Sequence, residues 1–195
     1  MKGYPRERPG RFAGLTGIGP TRLAGSIDDM ADPDTIALID IEASGFGPDS
    51  YPLEVAYSPR EGDEQSLLIN PDTATDWQSW DPVAASVHGI RRDDAVYHGR
   101  DVMAVARELN QALGTGVWYS DGFDADLGWL ARLYGEVAFE PTFRLASLHG
   151  LLREWGADKP AVYDELAATT VSPHRAVADL KRIRELLREV AARGR

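Results

Sequence analysis

The chain contains no cysteine. That excludes disulfides and thiolate-held metal sites, so any metal must be bound through oxygen or imidazole. The absence of thiols suits a reducing, cytoplasmic setting. Long apolar runs are also missing: no stretch approaches the ~18 residues that a membrane helix needs. Gly3 and Pro5 follow Lys2 where a secretory leader would carry its apolar core. These absences predict a soluble protein that engages no membrane. Positive charge is in the minority, with 21 Lys and Arg against 31 Asp and Glu and a formal net charge of −10. Such a balance argues against coating nucleic acid through a broad basic face. It leaves room for a nuclease, because cations held by clustered carboxylates supply positive charge locally.

What is present suffices for one core: 195 residues, 43% of them hydrophobic, imply a single catalytic-sized domain. Residues 1–29 differ from the rest, holding six of the 19 Gly and three of the 12 Pro with no helical or strand period. They read as a flexible tail preceding a domain over 30–195, or as upstream sequence ahead of a true start at Met30. From Met30 the pattern alternates. Ile36–Ile41, Leu53–Tyr57 and Ser66–Ile69 predict a meander of strands, and Val117–Tyr119 a further buried strand. Helices are predicted over Pro82–Val87, Val102–Leu113 and Leu127–Tyr134, and a last one from Ser172-Pro173 with Val177, Leu180, Ile183, Leu187 and Val190 as its apolar stripe. The order predicts a mixed α/β sheet covered by helices.

Three acidic elements carry the chemistry. Asp40-Ile41-Glu42 ends an apolar run, and period-2 geometry puts both carboxylates on one face and Ile39 and Ile41 on the other. Two adjacent carboxylates stay ionised cheaply only if a cation neutralises them, and hard cations take oxygen ligands; a solvated strand end is the alternative. Ser44-Gly45 follows and allows a tight turn with close approach to a ligand. Asp121, Asp124 and Asp126 form the second cluster, just before a predicted helix; two of them are expected to be caps or structural acids, with Asp126 facing the sheet as the metal candidate and Asp124 as its rival. The third is His174 through Asp179. Placed in the first turn of a helix opening at Ser172-Pro173, His174 would feel the positive helix end and stay neutral and proton-accepting.

Together these elements resemble the DEDDh 3′–5′ exonucleases, the group of polymerase proofreading subunits, oligoribonuclease and ribonuclease T. Asp40-Ile41-Glu42-Ala43-Ser44-Gly45 is similar to their first motif, with Ala43 where Thr is common. Ser120 to Leu130 is similar to the second, with Asp121-Gly122 where His-Asn is usual, and His174 to Asp179 matches the third. Val87-His88-Gly89-Ile90 is similar to a His-Gly-Ile element that many members carry. The resemblance spans about Ile36 to Leu187. It implies an RNase H-like mixed five-stranded sheet and two Mg²⁺ or Mn²⁺ ions. Asp40 would bridge them, Glu42 and Asp179 would serve the water-activating ion, and Asp126 the other, with His174 as general base.

Ala43, Ser44, Gly45, His88 and Arg175 are the candidates for touching substrate, Arg175 having the best claim to a phosphate; His88 also reads as a structural loop residue. Trp77 and Trp80 are placed either in packing or on bases. The partners so implied are 3′ ends of single-stranded DNA or RNA, cut to nucleoside 5′-monophosphates, with a homodimer left open. The alternative is a nucleic-acid-binding or interaction module that kept the fold and lost catalysis.

Overall fold

The computed structural model describes residues 32–193, so the expected tail over 1–29 lies outside the described residues. Five strands form one mixed sheet: β1 (Leu38–Ala43), β2 (Pro52–Ser58), β3 (Gln65–Leu68), β4 (Val117–Ser120) and β5 (Arg144–Ser147). Their order is β3-β2-β1-β4-β5. The first three pair antiparallel as the expected meander, whereas β4 runs parallel to β1 and β5 parallel to β4. Seven α-helices flank the sheet among the described residues: α1 (Pro82–His88), α2 (Arg92–His98), α3 (Val102–Leu113), α4 (Phe123–Gly135), α5 (Leu148–Trp155), α6 (Lys159–Thr169) and α7 (Ala176–Ala192). No described helix is long and apolar enough to cross a membrane.

Local chemistry explains the sharpest boundaries. Asp101 caps α3 by accepting from the backbone N–H groups of Met103 (2.8 Å) and Ala104 (3.2 Å), and Gly114, at φ 60°, ends it. Asp81 caps α1 through Val83 N–H (2.8 Å) with Pro82 in the first turn, and Gly89 closes it in the left-handed conformation. The sequence reading leaves out α2, α5, α6 and β5. Helix α2 buries only Ala95, and α6 buries Lys159, Tyr163 and Leu166, one of them a lysine. Strand β5 has a single buried residue, Leu145, so no alternation marks it.

The two faces of β1 divide the core. Ile39 and Ile41 join α3 and α4 side chains (Val105, Leu109, Leu130, Leu133), while Leu38 and Ala56 meet α5, α6 and α7 (Leu148, Tyr163, Leu180, Ile183, Leu187). Trp77 belongs to the first core, fully buried and stacked on Tyr51 at 5.0 Å between ring centroids, and Trp80 packs partly buried against it. Both tryptophans therefore serve packing.

Helix α7 is pinned to the sheet by a buried cation. Arg184 is 2% exposed and donates to the carbonyls of Pro33 (2.6 Å) and Ile36 (3.1 Å) and to Ser58 Oγ (3.1 Å). Burial pushes its pKa down, yet three acceptors keep the charge worthwhile. Arg188 one turn on pairs with Asp34 and Glu61 at the surface. Replacing Arg184 with Met should therefore cost about 2–4 kcal/mol, because buried acceptors lose their donor. Arg188→Ala should cost under about 1 kcal/mol. Urea unfolding of the two variants checks the contrast; equal losses would refute the assignment of Arg184 as the anchor.

Candidate metal centre

The site is built at the end of β1 nearest α4 and α7. Strand alternation turns Asp40 and Glu42 to the face shared with Leu38, which is the face α7 covers. A register shift between Glu42 and Ala43 bulges the strand at this point. Helix α7 brings Asp179 to the same place. One carboxylate oxygen from each of Asp40, Glu42 and Asp179 lies within 4.8 Å of the other two.

Asp126 arrives from α4. That helix begins at Phe123 rather than at the predicted Leu127, which corrects the expected boundary and puts Asp124 and Asp126 both in its first turn. At 100° per residue they point to nearly opposite sides, so only one can face the sheet. Asp126 is the buried one, 2% exposed, accepting from Ser120 Oγ at the end of β4; Asp124 is exposed. Asp40 and Asp126 are close enough for the charge of Asp126 to raise the pKa of Asp40.

The electrostatics are those of crowded anions. Desolvation raises Asp40 well above the usual carboxylate range, with Asp126, Asp121, Glu42 and Asp179 adding to it. Asp126 is raised by burial and by Asp121 and Glu42, against the Ser120 hydrogen bond. Glu42 is pushed up to about 7 by burial, Asp179 and Glu54. Oxygen-only donors, short mutual distances and like charge suit a hard divalent cation. The residues present thus fit the metal that the sequence implied.

Two acids that sequence reasoning set aside belong to this neighbourhood. Asp121, expected to be structural, accepts from Tyr163 Oη at 2.9 Å and still raises both Asp40 and Asp126. Glu54 was not singled out; it sits on β2 directly opposite Glu42 and is 4% exposed. A glutamate at an otherwise apolar strand position was the available signal, since ionised Glu is buried only when paired.

The third element requires a correction. Residues 172–174 are irregular and α7 opens at Ala176 with Arg175 as its N-cap residue, so His174 stands before the helix and not in its first turn. The cause is Asp179: its carboxylate accepts from Ser172 Oγ and from Arg175 N–H (2.9 Å), which draws the chain back over the helix start. Ser172, expected as the N-cap residue of this helix, instead orients Asp179. His174 is exposed and adopts φ 52°, the one positive-φ non-glycine among the described residues. Its Nδ1 lies 3.4 Å from Ser172 Oγ.

The remaining substrate candidates are placed as follows. Ala43, Ser44 and Gly45 are buried. Ser44 exchanges backbone and side-chain hydrogen bonds with Tyr51 and accepts from Asp81 N–H through its carbonyl (2.8 Å). A Cβ on Gly45 would meet Asp81 Cβ at 3.1 Å, tighter than an ordinary contact, so glycine lets this loop lie close to the start of α1. His88 is buried at the end of α1, its Nδ1 accepting from Ile90 N–H (3.0 Å), and burial lowers its pKa. Arg175 directs its guanidinium at Glu54 (3.2 Å, both pairs).

Because Glu42 titrates near 7 in the folded chain and near 4.5 when unfolded, the folded state binds more protons between those values. Metal-free stability should therefore fall as pH rises through that window, and a cation that binds the ionised form should restore it. In chelator the melting temperature should be lower at pH 8 than at pH 5, with Mn²⁺ raising it more at pH 8. Glu42→Gln should flatten both responses. A melting temperature in chelator that rises with pH through this window, with no Mn²⁺ effect, would remove the metal centre.

No family model and no curated protein matches this chain. Among solved structures it is similar to Escherichia coli exonuclease I. The zinc-bound complex of that enzyme with single-stranded DNA superposes with a TM-score of 0.63 at 17% identity, over 82% of this chain and 40% of that one. Its complex with a dA16 oligonucleotide gives 0.62 at 16%, over 82% and 41%. A dT13 complex gives 0.62 at 17%, over 81% and 41%. This chain spans about 40% of the length of the exonuclease I chains it matches. What the likeness establishes is the fold alone: the mixed five-stranded sheet with its flanking helices is an RNase H-like α/β fold, shared with exonuclease I.

Proposed function

We propose that this chain is a divalent-cation-dependent 3′–5′ exonuclease that releases nucleoside 5′-monophosphates from single-stranded or short nucleic acids. The observation that carries the reading is the convergence of Asp40, Glu42 and Asp179 within 4.8 Å, with Asp126 buried beside them, in a sheet of this fold. That solved structures of this fold hold single-stranded oligonucleotides supports the substrate class.

Asp40, Glu42, Asp179 and Asp126 would hold two Mg²⁺ or Mn²⁺ ions. Such ions, when bound, activate water and offset charge on the transferring phosphate. The protein's own groups do the positioning. Ser120 orients Asp126, while Ser172 and the Arg175 N–H orient Asp179. Since Ser172 Oγ donates its proton to Asp179, it can only accept from His174, which favours the Nδ1–H tautomer and leaves Nε2 as the proton acceptor. His174 then takes a proton from the attacking water as the new P–O bond forms. The bond from phosphorus to the 3′ oxygen of the penultimate nucleotide breaks, that oxygen is protonated from solvent, and the 5′-monophosphate leaves. The positive φ of His174 fits a residue held in place for function, because such strain persists where surrounding structure imposes it.

Incubation with 5′-labelled single-stranded DNA, RNA and dinucleotides in Mn²⁺ or Mg²⁺ tests the proposal by the direction of the ladder. EDTA should abolish cleavage, and Asp40→Ala or Asp126→Ala should remove it by several orders of magnitude with the fold intact. His174→Ala should lose about a hundredfold in turnover. Asp124→Ala, on the exposed side of α4, should change little. Cleavage that persists in excess chelator refutes the proposal.

A further inference from the structure

The loop that carries His174 is tied on one side by Ser172, which donates to Asp179 and accepts from His174 N–H at 3.4 Å. It is irregular, exposed and left-handed at His174, and α7 begins only after it. Yet the proposed reaction needs that ring held over the carboxylates. The residue that joins loop to helix is Arg175, and it is tied at two points. Its backbone N–H donates to Asp179 Oδ2 at 2.9 Å. Its guanidinium reaches across the chain to β2, where Nε and Nη2 each donate to a different oxygen of Glu54 at 3.2 Å. A fork-to-fork pair of this kind fixes direction as well as distance, which a single-point contact cannot do.

Glu54 is well suited to be the fixed end. It is 4% exposed on β2, a strand buried along its whole length, and it stands opposite Glu42. Arg175 is the exposed end, with 54% of its side chain open to solvent. An ionised glutamate buried beside Glu42 is costly unless it is paired, and Arg175 is the cation the structure brings to it. The stability cost of placing Glu54 there calls for a return, and its geometry offers one: it fixes residue 175, the immediate neighbour of His174.

We infer that Glu54 is a positioning residue, acting through its bidentate pair with Arg175 to hold the His174 ring over the acidic site. This rests on the exonuclease reading for its purpose, though not for its geometry. It also gives Arg175 a role other than the phosphate contact anticipated for it.

The test uses the full chain with Mn²⁺ as a paramagnetic probe. Ring signals of the four histidines are followed by NMR, His174 being assigned by loss of its signal in His174→Ala. In the wild type, Mn²⁺ at the acids should broaden the His174 ring strongly. Glu54→Gln frees Arg175 to solvent without leaving a buried charge, so it should fold. In Glu54→Gln and Arg175→Gln the broadening should weaken, while Mn²⁺ affinity stays within about threefold. Turnover should fall at least about tenfold with little change in KM, and Arg175→Lys should recover only part of it. Undiminished broadening and turnover in Glu54→Gln would overturn the inference. A wild type that cleaves nothing but shows the expected change in broadening would refute the exonuclease reading and keep the positioning role. Variants that cleave and broaden as the wild type does would do the reverse.

Discussion

Mutual repulsion among carboxylates is the constraint around which this molecule is arranged. Asp40, Glu42, Asp126 and Asp179 come from one strand and two helices, and Asp121 and Glu54 stand close behind them. Left to themselves, ionised groups so near one another would drive the elements apart. The fold resists because two apolar layers, one on each face of β1, hold α4 and α7, and with them their acids, in place. Burial first, and repulsion second, then raise the pKa values of Asp40, Glu42 and Asp126. A site of this kind stores affinity for cations, because binding a divalent ion removes a penalty that packing has already imposed.

The supporting hydrogen bonds are distributed with the same logic. Each helical acid is held by a hydroxyl from a neighbouring segment, Ser120 for Asp126 and Ser172 for Asp179, so the oxygens face inward in defined directions. Arg175 adds a cation at the rim, paired with Glu54 and close enough to Glu42 to lower its pKa. On the far side, Tyr163 donates to Asp121 and links α6 to the same neighbourhood. The centre is thus braced from β2, β4, α6 and the loop before α7, none of which contributes one of the four proposed ligands.

This bracing bears on how the proposed chemistry would be organised. The acids lie in a rigid sheet-and-helix frame, whereas His174 sits on an exposed loop. Such a division lets the ring meet substrate and water without disturbing the carboxylates. It also makes the loop's tether, through Arg175 and Ser172, the part where small changes matter most.

How much of this was legible beforehand follows from the range of each signal. The alternation Leu38-Ile39-Asp40-Ile41-Glu42 settled which carboxylates share a face, since strand geometry is local. Pro82 at the start of α1 and Gly114 at the end of α3 marked those limits for the same reason. The order and spacing of the acidic elements pointed to the fold. Short, weakly patterned segments such as Arg144–Ser147 and Arg92–His98 were invisible, because their burial comes from neighbours and not from their own period. Asp126 and Asp124 differ by two residues in sequence but by which way α4 turns them, and that depended on where the helix began. The place of His174 was misread because Ser172-Pro173 has the form of a helix start, yet Asp179 captures Ser172 and Arg175 N–H and moves that start to Ala176. By itself, then, the sequence determined that Asp40 and Glu42 share a face and in what order the acidic elements follow, because both are set by covalent spacing. Tertiary structure decided which acids meet and what steers His174, because the pair Glu54–Arg175, 121 residues apart, exists only once β2 and α7 are packed together.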